Sequence, residues 1–199
     1  GAVARADPRL HDDPRQSRGA VLDKRIIQGA TLRLQHPAAD LDAFGFQTLS
    51  AAAGHTPDTA KIGIVRRAII AALDAGASQV LVSDDAGRIG ARAADGLGGG
   101  CVELVPSAGT GSRLDTRRAA TEFAARRCGV VIVLGGDGTC RDVALGWPEV
   151  AMIAVSTGTN NVFPTALDGS SAGTAAALVA TGVVERSAVV TRAKRVLVS

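Results

Sequence analysis

Tyrosine is absent from these 199 residues, tryptophan occurs once and phenylalanine four times. A core built from this chain must therefore be packed with aliphatic side chains and alanine. A 46% hydrophobic composition supplies enough of both for one domain of ordinary size. Also missing is any apolar run approaching the roughly 18–20 residues that cross a bilayer. Residues 1 to 25 are charged, contain proline and lack the apolar centre of a signal peptide. Cysteine is limited to Cys101, Cys128 and Cys140, an odd number without metal-ligand spacing, which fits a reducing cytoplasm better than a disulfide framework. His11, His36 and His55 have no second ligand at metal spacing, and no metal-binding set is expected.

Excess charge of one sign is missing from most of the chain. Residues 1 to 35 hold seven Lys/Arg against four Asp/Glu, whereas residues 36 to 199 hold fifteen of each. The pI of 9.1 thus comes from the leading segment. With no aromatic–basic interleaving either, nucleic acid is not expected as a partner. Several catalytic signatures are absent as well. Lys24, Lys61 and Lys194 lack the glycine loop of a phosphate-binding lysine, and no GxGxxG follows a strand. Gly169-Ser170-Ser171-Ala172-Gly173 matches a nucleophile-elbow pattern, but no apolar strand precedes it and every histidine lies upstream, so the match is accidental.

What the chain does have is a rhythm. Residues 1–29 read as a polar, irregular leader, disordered or outside the native domain. TLRLQ (31–35) is a short strand candidate, and HPAADLDAFGFQTLSAAAG offers a loop and then a helix closing at Gly54. TAKIGIVRRAIIAALDAG (59–76) predicts a helix with Ile62, Val65, Ile69, Ala72 and Leu73 on one face. QVLVS (79–83), CVELVP (101–106), VVIVL (130–134) and AMIAVS (151–156) are buried-strand candidates. Between and after them come helical patterns, one reaching about Gly96, one over 114–129, one from about Thr139, and one over 170–182. Alternation of this kind predicts βαβ units and a parallel sheet covered on both faces.

In such a sheet, ligands gather beyond the carboxyl ends of the strands, where helix N-termini supply N–H groups. VVIVL runs into GGDGT (135–139). Gly135, Gly136 and Gly138 let the backbone turn and approach phosphate oxygens, and Thr139 can cap the next helix. Asp137 is suited to holding Mg²⁺ or accepting a proton from an attacking hydroxyl. Alone, such a turn reads first as a tight strand-to-helix connection with an exposed acid. Asp142 fits a capping box. AMIAV runs into STGTNNVFP (156–164), where Ser156, Thr157 and Thr159 can donate to phosphates and Asn160 and Asn161 can read a ribose or an adenine edge. Two glycine–hydroxyl loops after consecutive strands point to a phosphate site.

GGDGT followed by STGTNNVFP resembles the ATP–NAD kinase superfamily, which includes the diacylglycerol and sphingosine kinases. Asn160-Asn161 is most similar to the acetoin-catabolism X (AcoX-like) branch, since the lipid kinases usually carry Asn-Asp there. The resemblance implies a three-layer α/β nucleotide-binding domain over about residues 30–190, with ATP and NAD as ligands together with Mg²⁺. It implies Asp137 as base or metal-linked acid, and Gly135, Gly136, Gly138, Thr139, Gly158, Thr159, Asn160 and Asn161 as the nucleotide-binding residues, to which the hydroxyls of Ser156 and Thr157 are added from the residues themselves. Thr110-Gly111, before the helix bearing Asp115 and Thr116, is similar to a further family loop. Two departures stand against these matches. His36-Pro37-Ala38-Ala39-Asp40 replaces the family's Asn-Pro-x-Ser/Ala-Gly turn, and residues 191–199 read as the threshold of the β-rich domain that completes the acceptor site. The expected function is phosphorylation of a hydroxyl of NAD or another small molecule. The alternatives are a non-catalytic nucleotide-binding regulatory module and a fragment of a diacylglycerol-type lipid kinase. The expected setting is cytoplasmic, without a membrane partner, and a homo-oligomer is left open.

Overall fold

The computed structural model describes residues 43–48, 56–97, 99–158 and 160–194, the first of these segments through its backbone. Its elements run β1 Ala43–Thr48, α1 Asp58–Asp74, β2 Gln79–Ser83, α2 Ile89–Ala94, β3 Val102–Val105 and α3 Arg113–Ala125. They continue with β4 Cys128–Gly135, α4 Asp137–Gly146, β5 Met152–Ser156, α5 Gly169–Ala180 and α6 Arg186–Val189. The strands form one sheet in the order β3-β2-β1-β4-β5, every neighbouring pair parallel. This is the parallel α/β architecture that the alternation of short apolar runs and helices predicts.

The eight residues of β4 are all buried. Val130, Ile132 and Leu134 face one layer, made by α1, α2 and α5, while Val131 and Val133 face the other, made by α3 and α4. A strand covered on both faces needs apolar residues at every position, and that is why VVIVL shows no alternation. With no tyrosine to fill space, the layers close by near contact of small residues. A Cβ added at Gly173 would lie 2.1 Å from the Ala68 carbonyl oxygen, and one at Gly169 2.2 Å from that of Ile64. The two glycines of the accidental elbow pattern thus open α5 and seat it on α1.

Two expectations are corrected. Ala43–Thr48 is a strand, the central one of the sheet, and not part of a helix closing at Gly54. Alanine-rich sequence on both sides of Phe44-Gly45-Phe46 imitates a helix, but pairing with β2 and β4 decides the matter. The connection after β1 consequently starts at Leu49, and His36-Pro37-Ala38-Ala39-Asp40 precedes the strand. TLRLQ, the leader, the His36–Asp40 segment and residues 195–199 lie outside the described residues. The buried stripe of α1 is also shifted: it runs Lys61, Val65, Ala68, Ile69 and Ala72, with a lysine at its start.

Cys128 and Cys140 are buried and Cys101 is exposed. Burial pushes the Cys128 thiol up from an ordinary value near 9 to about 12, against a smaller downward pull from Arg126. Burial, followed by the Asp137 carboxylate, does the same for Cys140. Both thiols are raised in the folded state. Their contribution to stability is therefore complete below pH 9 and is lost as pH climbs toward 12. A thiol reagent at pH 8 should label one cysteine per native chain, at Cys101, and three after denaturation. Rapid native labelling of Cys140 would contradict the packing.

Candidate functional site

β1 and β4 are neighbours, while the chain runs outward from β1 to β2 and β3 and from β4 to β5. This reversal opens a crevice at the carboxyl ends of β1 and β4. GGDGT lies at the end of β4 and STGTNNVFP at the end of β5, adjacent because Gly135 pairs with Ser156.

The glycines are needed there for want of a Cβ, not for an unusual backbone. None of Gly135, Gly136, Gly138 and Gly158 has a positive φ. A Cβ on Gly135 would fall 2.6 Å from Thr139 Oγ1, so its absence lets the first turn of α4 close over the end of the strand. A Cβ on Gly136 would fall 2.9 Å from Asn161 Oδ1, and one on Gly158 3.3 Å from Asn161 Nδ2. The two loops thus meet around one amide side chain. Asn161 Nδ2 donates to Ser156 Oγ at 2.7 Å, and that hydroxyl donates to the Gly158 carbonyl at 2.9 Å.

Asp137 supplies the second link. Its Oδ1 accepts from the Phe163 N–H at 2.8 Å and the Val162 N–H at 3.2 Å, and its Oδ2 accepts from Val162 at 3.1 Å. Hydrogen bonds to an ionised group contribute about 1.5–3 kcal/mol each, so this carboxylate is a strong brace on the second loop. The loop is also closed at its base: Ser156 N–H donates to the Thr165 carbonyl at 2.9 Å, and Thr165 N–H to that of Ala154 at 3.1 Å. Thr56 Oγ1 donates to the Thr157 carbonyl at 2.8 Å, which seats the entrance of α1 against the same loop.

Of the residues singled out in the sequence, Gly135, Gly136, Gly138, Thr139, Asp137, Ser156, Thr157, Gly158, Asn160 and Asn161 all fall in these two loops. Thr159 lies outside the described residues. Their duties divide. Thr139 and Thr157 are buried, Ser156 and Asn161 hold the loop, and Gly138, Gly158 and Asn160 face solvent. The cap of α4 is Gly136, without a side-chain hydrogen bond, so Thr139 does not serve as the cap. Nor does Asp142 form a capping box. It is buried, and its Oδ1 accepts from Arg117 Nε at 3.1 Å and Nη2 at 2.9 Å, tying α4 to α3. The first N–H groups of α4 have no partner within the helix and point into the crevice with the positive end of its dipole. Such a terminus binds anions.

The third loop, after β3, is organised from within. Asp115 accepts from Thr110 Oγ1 and from the Gly111 N–H, both at 2.9 Å, with Gly111 at φ +68° where a side chain would be strained. Sequence reasoning missed Thr56, Val162 and Phe163, which act through a hydroxyl and two backbone amides. A threonine just before a proline that opens a helix was the one available signal. A cavity of about 680 Å³ also runs along β5 and the segment from Arg186 to Lys194. From the two loops it includes Phe163 alone, so it is distinct from the crevice. Among the described residues no three His, Cys, Asp or Glu side chains gather as a metal site.

Residues 55–184 match the family model of the ATP-NAD kinase N-terminal domain. Acetoin catabolism protein X of Cupriavidus necator is 33% identical over 130 residues, which cover 61% of this chain and 36% of that protein. The chain therefore corresponds to little more than a third of this curated relative. No solved structure gives a significant match.

Proposed function

The chain belongs to the ATP-NAD kinase family through that family's N-terminal domain, and we propose that it binds ATP or NAD, with Mg²⁺, across the β4–α4 turn and the loop after β5. The observation that carries this is the meeting of the two loops on Asn161 and Asp137, which brings the N-terminus of α4 and the loop after β5 to one crevice. Phosphates would lie on the N-terminus of α4, and Asn160 would face the ribose or base. Mg²⁺ takes most of its ligands from nucleotide phosphates and water and needs one or two carboxylates at most. Asp137 is the carboxylate that would hold such an ion, through the lone pair its amide partners leave free, and the ion would neutralise phosphate charge. The setting we propose is cytoplasmic, with neither membrane nor nucleic acid as partner. No helix of the described residues is long and apolar enough to cross a membrane.

Phosphoryl transfer would join the oxygen of an acceptor alcohol to the γ-phosphorus, release ADP and pass the hydroxyl proton to a base. The acceptor is a hydroxyl of NAD or of another small molecule. Asp137 stands beside the phosphate position, but its two oxygens are held by the Val162 and Phe163 amides. Oδ2 keeps one lone pair free, but the two amides fix the direction in which it points. That engagement favours a second reading, in which this chain is a non-catalytic nucleotide-binding module. Detectable NAD phosphorylation by the 199-residue chain would eliminate it.

Isothermal titration of ATP and NAD with Mg²⁺ tests binding. Gly136 has φ −107° and ψ −174°, extended backbone that valine adopts readily, so Gly136→Val should fold. Its side chain would displace Asn161 and should weaken nucleotide binding at least tenfold. Absence of binding by the wild type removes the proposal, and binding untouched by Gly136→Val moves the site elsewhere.

A further inference from the structure

Lys61 occupies a position where α1 calls for an apolar residue. It begins the core-facing stripe continued by Val65, Ala68, Ile69 and Ala72, and it is 4% exposed. Among the described residues its ammonium makes one hydrogen bond, at 3.1 Å to Asp58 Oδ1, and the Asp58 side chain is 56% exposed. An ammonium carries three donors. Taking a cation out of water is costly unless it is both paired and fully hydrogen-bonded. Among the described residues, one solvent-facing carboxylate a single turn away leaves that demand largely unmet.

The place of this lysine in the fold supplies the reason. α1 follows β1, so its first turn lies at the carboxyl edge of the sheet. The hydrogen bond from Thr56 to the Thr157 carbonyl fixes that turn against the loop after β5. Neither GGDGT nor STGTNNVFP contains a lysine or an arginine, and Asp137 adds negative charge. Backbone N–H groups can orient a phosphate, but they do not offset the charge of a polyphosphate next to a carboxylate.

We infer that Lys61 is the anion-binding cation of the crevice, its ammonium taking a phosphate oxygen of the nucleotide in place of Asp58. The inference rests on the nucleotide reading above and adds a residue to the same site. Asp58 is the exposed member of the pair, so the phosphate arrives from its side and displaces it. Lysine without a glycine loop before it was no phosphate signature in the sequence; here the glycine loops come from other strands.

The test uses the 199-residue chain as wild type, Lys61→Met and Lys61→Arg, with pyrophosphate, ATP and adenosine as titrants and thermal unfolding as a second readout. Methionine fills the stripe without a charge, so Lys61→Met should melt at or above the wild-type temperature. It should bind pyrophosphate and ATP at least tenfold more weakly, leave adenosine affinity within twofold, and be partly rescued by arginine. The inference is overturned if pyrophosphate binds Lys61→Met as well as wild type, or does not bind wild type at all. It is equally overturned if the variant melts lower and loses adenosine in proportion, since the lysine would then be structural. Lys61-dependent pyrophosphate binding without ATP or NAD binding would retain the lysine and remove the nucleotide reading. ATP binding indifferent to Lys61→Met would do the reverse.

Discussion

Gly173→Ala should lower the unfolding free energy by about 3 kcal/mol, the upper part of the ordinary range for overpacking, although alanine is the better helix former. Propensity alone favours alanine over glycine inside a helix by about 1 kcal/mol. Packing opposes it: the new methyl carbon would stand 2.1 Å from the Ala68 carbonyl oxygen and 2.9 Å from its Cα. A backbone atom cannot rotate away, so α5 must lift from α1. The separation exposes parts of Val65, Ala68, Ile69 and Ala72, which are fully buried in the native fold. Against a total stability of about 5–15 kcal/mol for a domain, the loss would be plain in a urea titration followed by circular dichroism. A midpoint equal to or above that of the wild type would show that the helices are not in such close contact.

Asp137→Ala should weaken nucleotide binding by roughly ten- to a hundredfold, the equivalent of about 1.4–2.8 kcal/mol. Alanine leaves two amides, those of Val162 and Phe163, without their acceptor. The loop carrying Gly158, Asn160 and Asn161 then has one fewer restraint, and ordering it would oppose binding. Asp137→Asn separates bracing from proton transfer. Its one remaining carbonyl oxygen can still accept from Phe163, so affinity should fall between wild type and alanine, and amide exchange at Val162 and Phe163 should rise in the same order. If Asn binds ATP like the wild type and only turnover is lost, Asp137 acts as a base and its bracing is incidental.

The strands from β2 onward were legible as short apolar runs, and the four longer helices because each buried face writes a period into the sequence. QVLVS is β2 residue for residue, and VVIVL lies within β4. β1 was illegible. Its glycine and the flanking alanines carry no strand signal, and what makes it a strand is hydrogen bonding to two partners on either side. At the site, the loops could be read from residue types, while their joinery could not. Asp137 points to amides, Asn161 to a serine, and Asp142 to Arg117 across a helix pair. Those choices depend on the third dimension. Lys61 shows the same limit, since a charged residue is skipped when an apolar stripe is traced by eye.

The central position of β1 has a consequence for how the molecule is made. β1 pairs with β2 at Ala43↔Gln79 but with β4 at Phe44↔Val130. A ribosome adding about 5–20 residues per second releases β1, β2 and β3 and then needs on the order of seconds more to deliver β4. Until then one side of β1 stays an open edge, a template for wrong pairing with another chain. The contacts that close it span a long stretch of sequence and form slowly. The crevice at the carboxyl ends of β1 and β4 therefore forms only after β4 arrives, on the edge most vulnerable to aggregation during synthesis.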